Sequence, residues 1–255
     1  MKLKQISIAA ALIAATAAAS AINSDADGKD LVLMSYNVRN ATGMDDIRDT
    51  ERTAAVIRRC APDVVAIQEL DSMTNRAGLT YVLGELAQLT GMYATYTPAI
   101  DYDGGRYGIG MLSRTEPIRV QRIALPGREE ARAMLVADFD GYTYIATHLS
   151  LTREDREASL ELIHQVTDTC TRPVFVAGDF NATPDSEFIG AILKDFVILT
   201  PTDAATYPAD KPVETLDYII VPRRHSDRVK TLRTQVEPDS LTSDHRPITA
   251  HIRID

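Results

Sequence analysis

Short apolar runs rich in Val, Ile and Tyr recur along the chain and alternate with amphipathic segments. We predict β-strands for eight of these runs, at residues 31–36, 64–67, 108–112, 134–139, 142–147, 174–177, 216–221 and 247–252. Side chains with the spacing of one buried helical face lie between some strands; they are Thr53, Val56, Ile57 and Cys60, and Ala158, Leu162, Ile163 and Val166. The pattern therefore predicts helices that pack on sheets.

The middle of the chain departs from simple strand and helix alternation. Residues 108–147 have the pattern of consecutive strands joined by turns at Gly127 and at Asp140-Gly141. Consecutive strands pair antiparallel, so we expect mixed sheets rather than one purely parallel, doubly wound sheet. A two-sheet α/β sandwich accommodates both patterns.

The N-terminus has the pattern of a cleaved export signal. Lys2 and Lys4 precede an uncharged apolar run at residues 6–19, and small residues follow it. We therefore predict a signal peptide over approximately residues 1–20, in preference to a buried helix, and a secreted or periplasmic protein. The remaining residues, 21–255, contain no obvious linker or repeat, so we expect one catalytic domain. We also expect a monomer without a transmembrane segment.

The charge of the chain narrows the choice of partner. The formal net charge is -9 at pH 7, and removal of the two leader lysines would make it more negative. Such a surface repels polyanions unless a local patch or a bound cation reverses the field. Nucleic acid is therefore disfavoured as a substrate but not excluded.

The chain has two cysteines, Cys60 and Cys170. An even number of cysteines in an exported protein permits a disulfide. Each cysteine, however, ends a helical segment just before a buried strand. We therefore favour two separate thiols over a disulfide.

Polar side chains repeatedly lie at the ends of apolar strands. Five of them follow a strand, namely Asn37, Glu69, His148, Asp179 and Asn181, and the pair Asp244-His245 comes just before the last strand. Each one alone has an ordinary structural explanation, such as a turn, a helix cap or a surface pair. Together they are unusual, because an unpaired carboxylate at a buried strand end is costly. A shared cation would explain the set, and carboxylate and amide oxygens suit Mg²⁺ or Mn²⁺.

The order of these motifs resembles the endonuclease/exonuclease/phosphatase family. The matching segments are Ser35-Tyr36-Asn37-Val38, Ile67-Gln68-Glu69, residues 108–114, Thr147-His148-Leu149, Gly178-Asp179-Phe180-Asn181, Leu216-Asp217-Tyr218-Ile219 and residues 243–248. They span almost all of the chain after the leader. The resemblance implies a four-layer α/β sandwich, in which two packed mixed sheets are flanked by helices.

The resemblance also implies a metal site. Glu69 matches the principal metal-binding glutamate, Asn37 an amide close to the metal, and Asp244 a further acidic member of the site. The expected cofactor is Mg²⁺ or Mn²⁺, as one or two ions.

The resemblance assigns the catalytic roles to five further residues. Asp179 matches the aspartate that holds or deprotonates the attacking water, and Asn181 matches a ligand of a phosphoryl oxygen. His245 matches the essential histidine, oriented by Asp217, and His148 matches a second histidine of some branches. Whether the aspartate or the histidine is the base stays open.

Three residues are candidates for additional phosphate contacts. Some members place a tyrosine shortly before the Gly-x-Gly of the third segment, and here direct alignment places Arg106 at that position, with Tyr107 next to it. Arg132 could contact phosphate or could be a solvated surface arginine.

We therefore predict a secreted, metal-dependent phosphoesterase that cleaves a phosphodiester or phosphomonoester by in-line attack of an activated water. A secreted nuclease is the first alternative, and a non-catalytic binding module of the same fold is the second. The absence of Trp and of a long apolar loop disfavours a membrane lipid headgroup. Small soluble diesters and sugar or inositol phosphates stay open.

Overall fold

Twelve strands and five helices make up the part of the chain that the computed structural model describes, residues 28–255. The strands are β1 Lys29–Asn37, β2 Val64–Ser72, β3 Tyr93–Tyr102, β4 Gly105–Ser113, β5 Arg119–Leu125, β6 Arg132–Asp138, β7 Thr143–His148, β8 Val174–Asp179, β9 Phe196–Ile198, β10 Asp217–Pro222, β11 Val229–Val236 and β12 Ile248–Ile254. The helices are α1 Thr50–Cys60, α2 Val82–Thr90, α3 Arg153–Thr167, α4 Glu187–Asp195 and α5 Arg223–Ser226, and a 3-10 turn covers Arg39–Ala41. The predicted signal segment lies outside the described residues.

The strands form two six-stranded sheets. The first has the order β11-β12-β1-β2-β4-β3, and the second has the order β5-β6-β7-β8-β10-β9. Each sheet contains one parallel pair, β1 with β2 and β7 with β8, while the other neighbours are antiparallel. The prediction of mixed sheets is confirmed. The chain crosses from the first sheet to the second between β4 and β5.

The layers follow from the alternation of side chains along the central strands. In β1, Leu33 faces the second sheet within the core between the two sheets, whereas Met34 faces the outer core formed with α1 and α2. In the second sheet, Val176 packs outward against α3 and α4, and Ala177 packs inward. The order is thus helices, sheet, sheet, helices, which is the predicted four-layer sandwich.

The two predicted helical faces have different outcomes. In α1, Thr53, Val56 and Ile57 are buried as expected. In α3, Ile163 is buried, but Ala158 is exposed and the buried face runs through other residues, namely Asp155, Ser159, Leu160 and Thr167. The predicted face was therefore rotated, because small and polar side chains pack against the second sheet as closely as aliphatic ones.

The cysteines are unpaired in the structure, as we expected. Cys60 ends α1 and Cys170 follows α3, and both are half-buried. Burial raises the pKa of the Cys60 thiol to about 12, so this group is a poor nucleophile at neutral pH. No helix among residues 28–255 combines the length and the apolar character that a membrane span requires.

Candidate active site

Three strand ends, one bulge and one strand start meet at one edge of the sandwich. β1, β7 and β8 end at this edge, β2 passes it with a bulge, and the antiparallel β10 begins there. In the second sheet, Asp179 is aligned with His148 on β7 and with Asp217 on β10. Strand register therefore places three predicted site residues side by side.

A cleft of about 380 Å³ opens at this edge. The residues that line it are Glu69, Tyr107, Glu130, Arg132, His148, Leu151, Asp179, Asn181, Tyr207, Glu214, Leu216, Asp244 and His245. Asn37 and Asp217 are buried beneath the lining and contact it through hydrogen bonds. The structure thus brings together all the predicted site residues except Arg106.

Glu69 enters the cleft from a bulge within β2 rather than from the end of a strand. The pairing of β2 with β4 shifts between Ile67 and Leu70, and Glu69 itself has a positive φ of 60°. Such a bulge redirects a side chain out of the regular alternation. The strand then continues to Ser72, so the expectation that the strand ends at Glu69 was wrong.

Asn37 connects the two sheets beneath the cleft. Its Nδ2 donates to Glu69 Oε1 at 2.9 Å and to Asp179 Oδ2 at 3.1 Å. Its Oδ1 accepts the backbone N–H of Arg39 at 3.1 Å. Asn37 therefore orients two carboxylates through Nδ2, while its Oδ1 keeps a second lone pair, and its place close to a metal stays a prediction.

His245 is held between two buried carboxylates. Its Nδ1 lies 2.9 Å from Asp217 Oδ2, and its Nε2 lies 3.6 Å from Asp179 Oδ2. Burial alone lowers the pKa of His245, but Asp217 and then Asp179 outweigh it and raise that pKa to about 10. The Tyr207 ring packs on the imidazole with centroids 4.8 Å apart. His245 is therefore an imidazolium at neutral pH.

Asp179 is fully buried at the base of the cleft. Burial raises its pKa to about 7, against the opposing charge of His245. The backbone N–H of Asn181 donates to Asp179 Oδ1 at 2.9 Å, and Asn181 has a positive φ of 48°. This conformation places Asn181 beside the carboxylate, with its own Nδ2 donating to the Leu149 carbonyl. Asp179 is thus able to exchange a proton near neutral pH.

His148 and Arg132 form the neighbouring wall. Burial, followed by the charges of Arg132 and His245, lowers the pKa of His148 well below its ordinary value, so this imidazole is neutral. Arg132 lies 3.2 Å from His148 Nδ1 and 3.0 Å from Glu130, and its Nε is buried without a partner among the described residues. Arg132 is a buried cation within the cleft rather than a surface arginine.

The two candidates before the Gly-x-Gly point in different directions. Tyr107 lines the cleft, and burial raises the pKa of its hydroxyl, so it stays a neutral donor. Arg106 is exposed, lies 3.5 Å from Asp101, and lines a separate concavity of about 670 Å³ at the β3–β4 turn. Successive strand residues face opposite sides, so only one of the pair can reach the cleft. That larger concavity has neither histidine nor buried acid in its lining.

Four lining residues were not identified from the sequence; they are Glu130, Leu151, Tyr207 and Glu214. Leu216 was named only as part of a motif and a strand, without a role in the site. Most of these lining residues lie in loops, where no apolar strand marks their position. Backbone hydrogen bonds fix one of these loops to the histidine segment: Ala209 N donates to Asp244 O and Arg246 N to Thr206 O. Only the aromatic character of Tyr207 could have signalled a contact with a buried imidazole.

The donor set fits a hard divalent cation. Glu69 and Asp244 both line the cleft, and burial raises the pKa of Glu69 despite the Asn37 hydrogen bond that lowers it. A bound cation would stabilise the ionised form of this carboxylate. Asp179, Asp217 and His245 also present ligand atoms within 4.8 Å of one another, but His245 already balances that group. Glu69 and Asp244 are the better candidates for a metal.

A buried acid and histidine array at one edge of a two-sheet α/β sandwich is the arrangement of a phosphoester hydrolase fold. The chain belongs to the endonuclease/exonuclease/phosphatase family, whose model matches residues 34–245. The match covers every cleft residue and all strands of the two sheets except β12 and the start of β1.

Solved structures share this fold. An endonuclease/exonuclease/phosphatase from Beutenbergia cavernae DSM 12333 superposes with a TM-score of 0.72 at 21% identity, covering 88% of this chain and 72% of that one. An endonuclease/exonuclease/phosphatase from Bacteroides vulgatus superposes with a TM-score of 0.72 at 19% identity, covering 89% of this chain and 100% of that one. A mannosyl-6-phosphatase of Bacteroides thetaiotaomicron VPI-5482 superposes with a TM-score of 0.69 at 16% identity, covering 87% of this chain and 99% of that one. No curated protein sequence matches the chain significantly.

Proposed function

We propose that this protein is a secreted, divalent-metal-dependent phosphoesterase that cleaves its substrate by in-line attack of a water. The observation that carries the proposal is the cleft itself, in which the buried Asp179, Asp217 and His245 face Glu69 and Asp244. Export of the protein follows from the leader pattern at residues 1–20 and is part of the proposal.

Asp179 is the residue that we assign as the base. Its pKa of about 7 allows it to accept a proton from water at neutral pH, whereas His245, with a pKa of about 10, is already protonated. Asn37 and the Asn181 N–H hold the Asp179 carboxylate in one orientation. Asp179 would thus position the water and take its proton as the phosphorus–oxygen bond forms.

His245 stabilises the charge that develops on the phosphoryl group. Asp217 fixes the imidazolium through Nδ1, so that its Nε2 side faces Asp179 and the cleft. Arg132, the neutral His148 and the Tyr107 hydroxyl add donors along the same wall. Donors that are already fixed before the reaction lower the cost of stabilising that charge.

Glu69 and Asp244 would hold Mg²⁺ or Mn²⁺, which, when bound, supplies Lewis-acid polarisation of a phosphoryl oxygen and stabilises the leaving oxygen. Asn37 supports this site by fixing Glu69 at 2.9 Å. The Asn37 amide nitrogen therefore contacts both Glu69, a proposed metal ligand, and Asp179, the proposed base.

A small phosphoester is the substrate that the cleft favours. The volume of the cleft, about 380 Å³, lies near the lower end of the range for small-molecule sites. The chain is also acidic overall, which disfavours a polyanionic substrate. One of the similar folds is a mannosyl-6-phosphatase, which supports testing sugar phosphates. A nuclease is the second candidate, because the family name includes nucleases.

The test is hydrolysis of bis(p-nitrophenyl) phosphate and of phosphomonoesters by the purified protein with Mg²⁺, with Mn²⁺ and with EDTA. We expect turnover with either metal and its loss in EDTA. Plasmid DNA in parallel tests the nuclease alternative. Absence of turnover with every substrate, in a protein that binds Mn²⁺, would favour the non-catalytic binding module.

A further inference from the structure

Beside the cleft lies a second cavity of about 310 Å³ that contains three arginines. We call it the arginine pocket; its lining includes Arg39, Asn40, Asp46, Arg48, Glu69 and Arg76. Glu69 lines both cavities. The arginine pocket therefore begins where the cation side of the cleft ends.

Two further contacts tie the pocket to the cleft. Arg39 Nε lies 3.9 Å from Asp244 Oδ2, and the Arg76 guanidinium lies over the Tyr107 ring, 5.6 Å from its centroid. Both Asp244 and Tyr107 line the cleft. If the phosphoester of a substrate binds beside Glu69, the remaining part of that substrate would therefore lie next to the arginines.

The arginine pocket contains buried polar atoms without partners. Asn40 is 7% exposed, and its Oδ1 has no hydrogen-bond partner among the described residues. Arg48 Nε is also buried without one, although its other nitrogens contact the Ala77 carbonyl and Glu85. A buried polar atom without a partner is costly. A ligand with acceptor oxygens and hydroxyl groups would satisfy both atoms.

The acids near the arginines differ in how firmly they hold them. Arg76 is fixed by a two-fold hydrogen bond to Asp71, which is fully buried. Arg39 pairs with Asp46, which is highly exposed. An exposed pair of this kind contributes little and is easily exchanged for a ligand anion. Arg39 also donates to the Gly43 carbonyl, and Arg48 contacts the Ala77 carbonyl and the partly exposed Glu85. A ligand anion would therefore compete with the exposed acids Asp46 and Glu85 for these two arginines, on a framework that Arg76 and Asp71 hold rigid.

We propose that the arginine pocket binds a second anionic group of the substrate, so that the preferred substrate is a small polyhydroxylated molecule with at least two phosphates. This inference rests on the phosphoesterase function proposed above. A small molecule fits better than nucleic acid because the cavity is of small-molecule size and the chain is acidic overall.

The test compares two competitors of bis(p-nitrophenyl) phosphate hydrolysis, fructose 1,6-bisphosphate and fructose 6-phosphate, which differ by one phosphate. We expect the bisphosphate to have an inhibition constant at least about tenfold lower in the wild type. Arg48→Gln and Arg39→Gln should each remove most of this difference. Arg122→Gln, an exposed arginine on β5 that bonds to the Tyr96 carbonyl, should retain it. Circular dichroism checks that each variant folds.

Equal inhibition constants in the wild type, or an unchanged difference in both pocket variants, would overturn the proposal while leaving the hydrolase function intact. A single-stranded oligonucleotide that competes better than the bisphosphate, and depends on Arg48, would overturn the small-molecule assignment. If the protein has no turnover at all, calorimetry of fructose 1,6-bisphosphate binding in EDTA still decides the matter. Binding that Arg48→Gln weakens supports the pocket, and its absence rejects it.

Discussion

The two halves of the cleft differ chemically. In the half formed at the second sheet, the buried acids Asp179 and Asp217 are compensated by the His245 imidazolium, which comes from the segment before β12 of the first sheet. The half next to the first sheet contains Glu69 and Asp244, and burial raises the pKa of Glu69 there. The difference teaches that the protein's own imidazolium balances the acids of one half, whereas in the other half Arg39, 3.9 Å from Asp244, is the only ion-pair partner of the acids among residues 28–255, and the proposed function assigns a cation there.

The largest effect should come from the half that needs the cation. Glu69→Gln keeps the shape and the acceptor for Asn37 but removes the charge, so we expect hydrolysis to fall by roughly 10³-fold, since Lewis-acid stabilisation contributes several kcal/mol. Steady-state kinetics over a range of Mn²⁺ concentrations measure this loss and the weakened metal affinity. Glu161→Gln, on the exposed face of α3, is the matched control. Wild-type turnover in Glu69→Gln would show that the cation lies elsewhere.

The balanced half should respond almost as strongly. His245→Gln removes the imidazolium, and we expect a loss of about 10²- to 10³-fold in kcat with little change in Mn²⁺ affinity. His251→Gln, on β12 and away from the cleft lining, serves as the control. A large change in metal affinity would contradict the division into two halves, because His245 would then belong to the cation site.

Replacement of Asp217 should have a smaller, pH-dependent effect, because Asp217 both orients His245 and raises its pKa. Asp217 is the strongest contributor that raises the pKa of His245. Asp217→Asn therefore lowers that pKa, and the loss of activity at alkaline pH, as His245 deprotonates, should move to lower pH. We expect kcat at neutral pH to fall by about 10²-fold, with exposed Asp227→Asn as control. An alkaline limb that stays in place would mean that His245 is not the group that titrates.

The smallest effect concerns stability in EDTA. Burial raises the pKa of Glu69 above its ordinary value of 4.5, so the folded state binds this proton more tightly than the unfolded state. The free energy of unfolding then falls as pH rises through 4.5 towards the folded pKa. Glu69→Gln should therefore be more stable than wild type above this range and similar to it below. Urea unfolding across the range measures the difference, and a variant less stable at every pH would refute it.

Most of the fold could be predicted from the sequence, but the edges of the sheets could not. The eight predicted strands correspond to β1, β2, β4, β6, β7, β8, β10 and β12. The four that were missed, β3, β5, β9 and β11, are the edge strands of the two sheets. An edge strand packs less completely than a central one, so its sequence lacks a continuous apolar run. In β11, for example, polar Lys230 and Arg233 are exposed.

Site residues could be predicted where a motif lies at the end of a central strand. Site residues in loops that carry no such motif could not be predicted. Asp179 and His148 could be found because each is the last residue of a strand that is otherwise mostly apolar. The bulge at Glu69 could not be anticipated, because its positive φ of 60° is imposed by pairing with β4 rather than by local sequence. Tyr207 reaches His245 only because its loop folds back on residues 244–246.

The Asn37 amide has a consequence for motion. It belongs to β1, yet it donates to Asp179 in the opposite layer at 3.1 Å and to Glu69 in its own layer at 2.9 Å. Sliding of one layer past the other by about an ångström would break one of these bonds. The spacing of the reacting groups is thus set by the stiffness of the entire sandwich, and loosened packing far from the cleft would slow chemistry before it unfolds the protein.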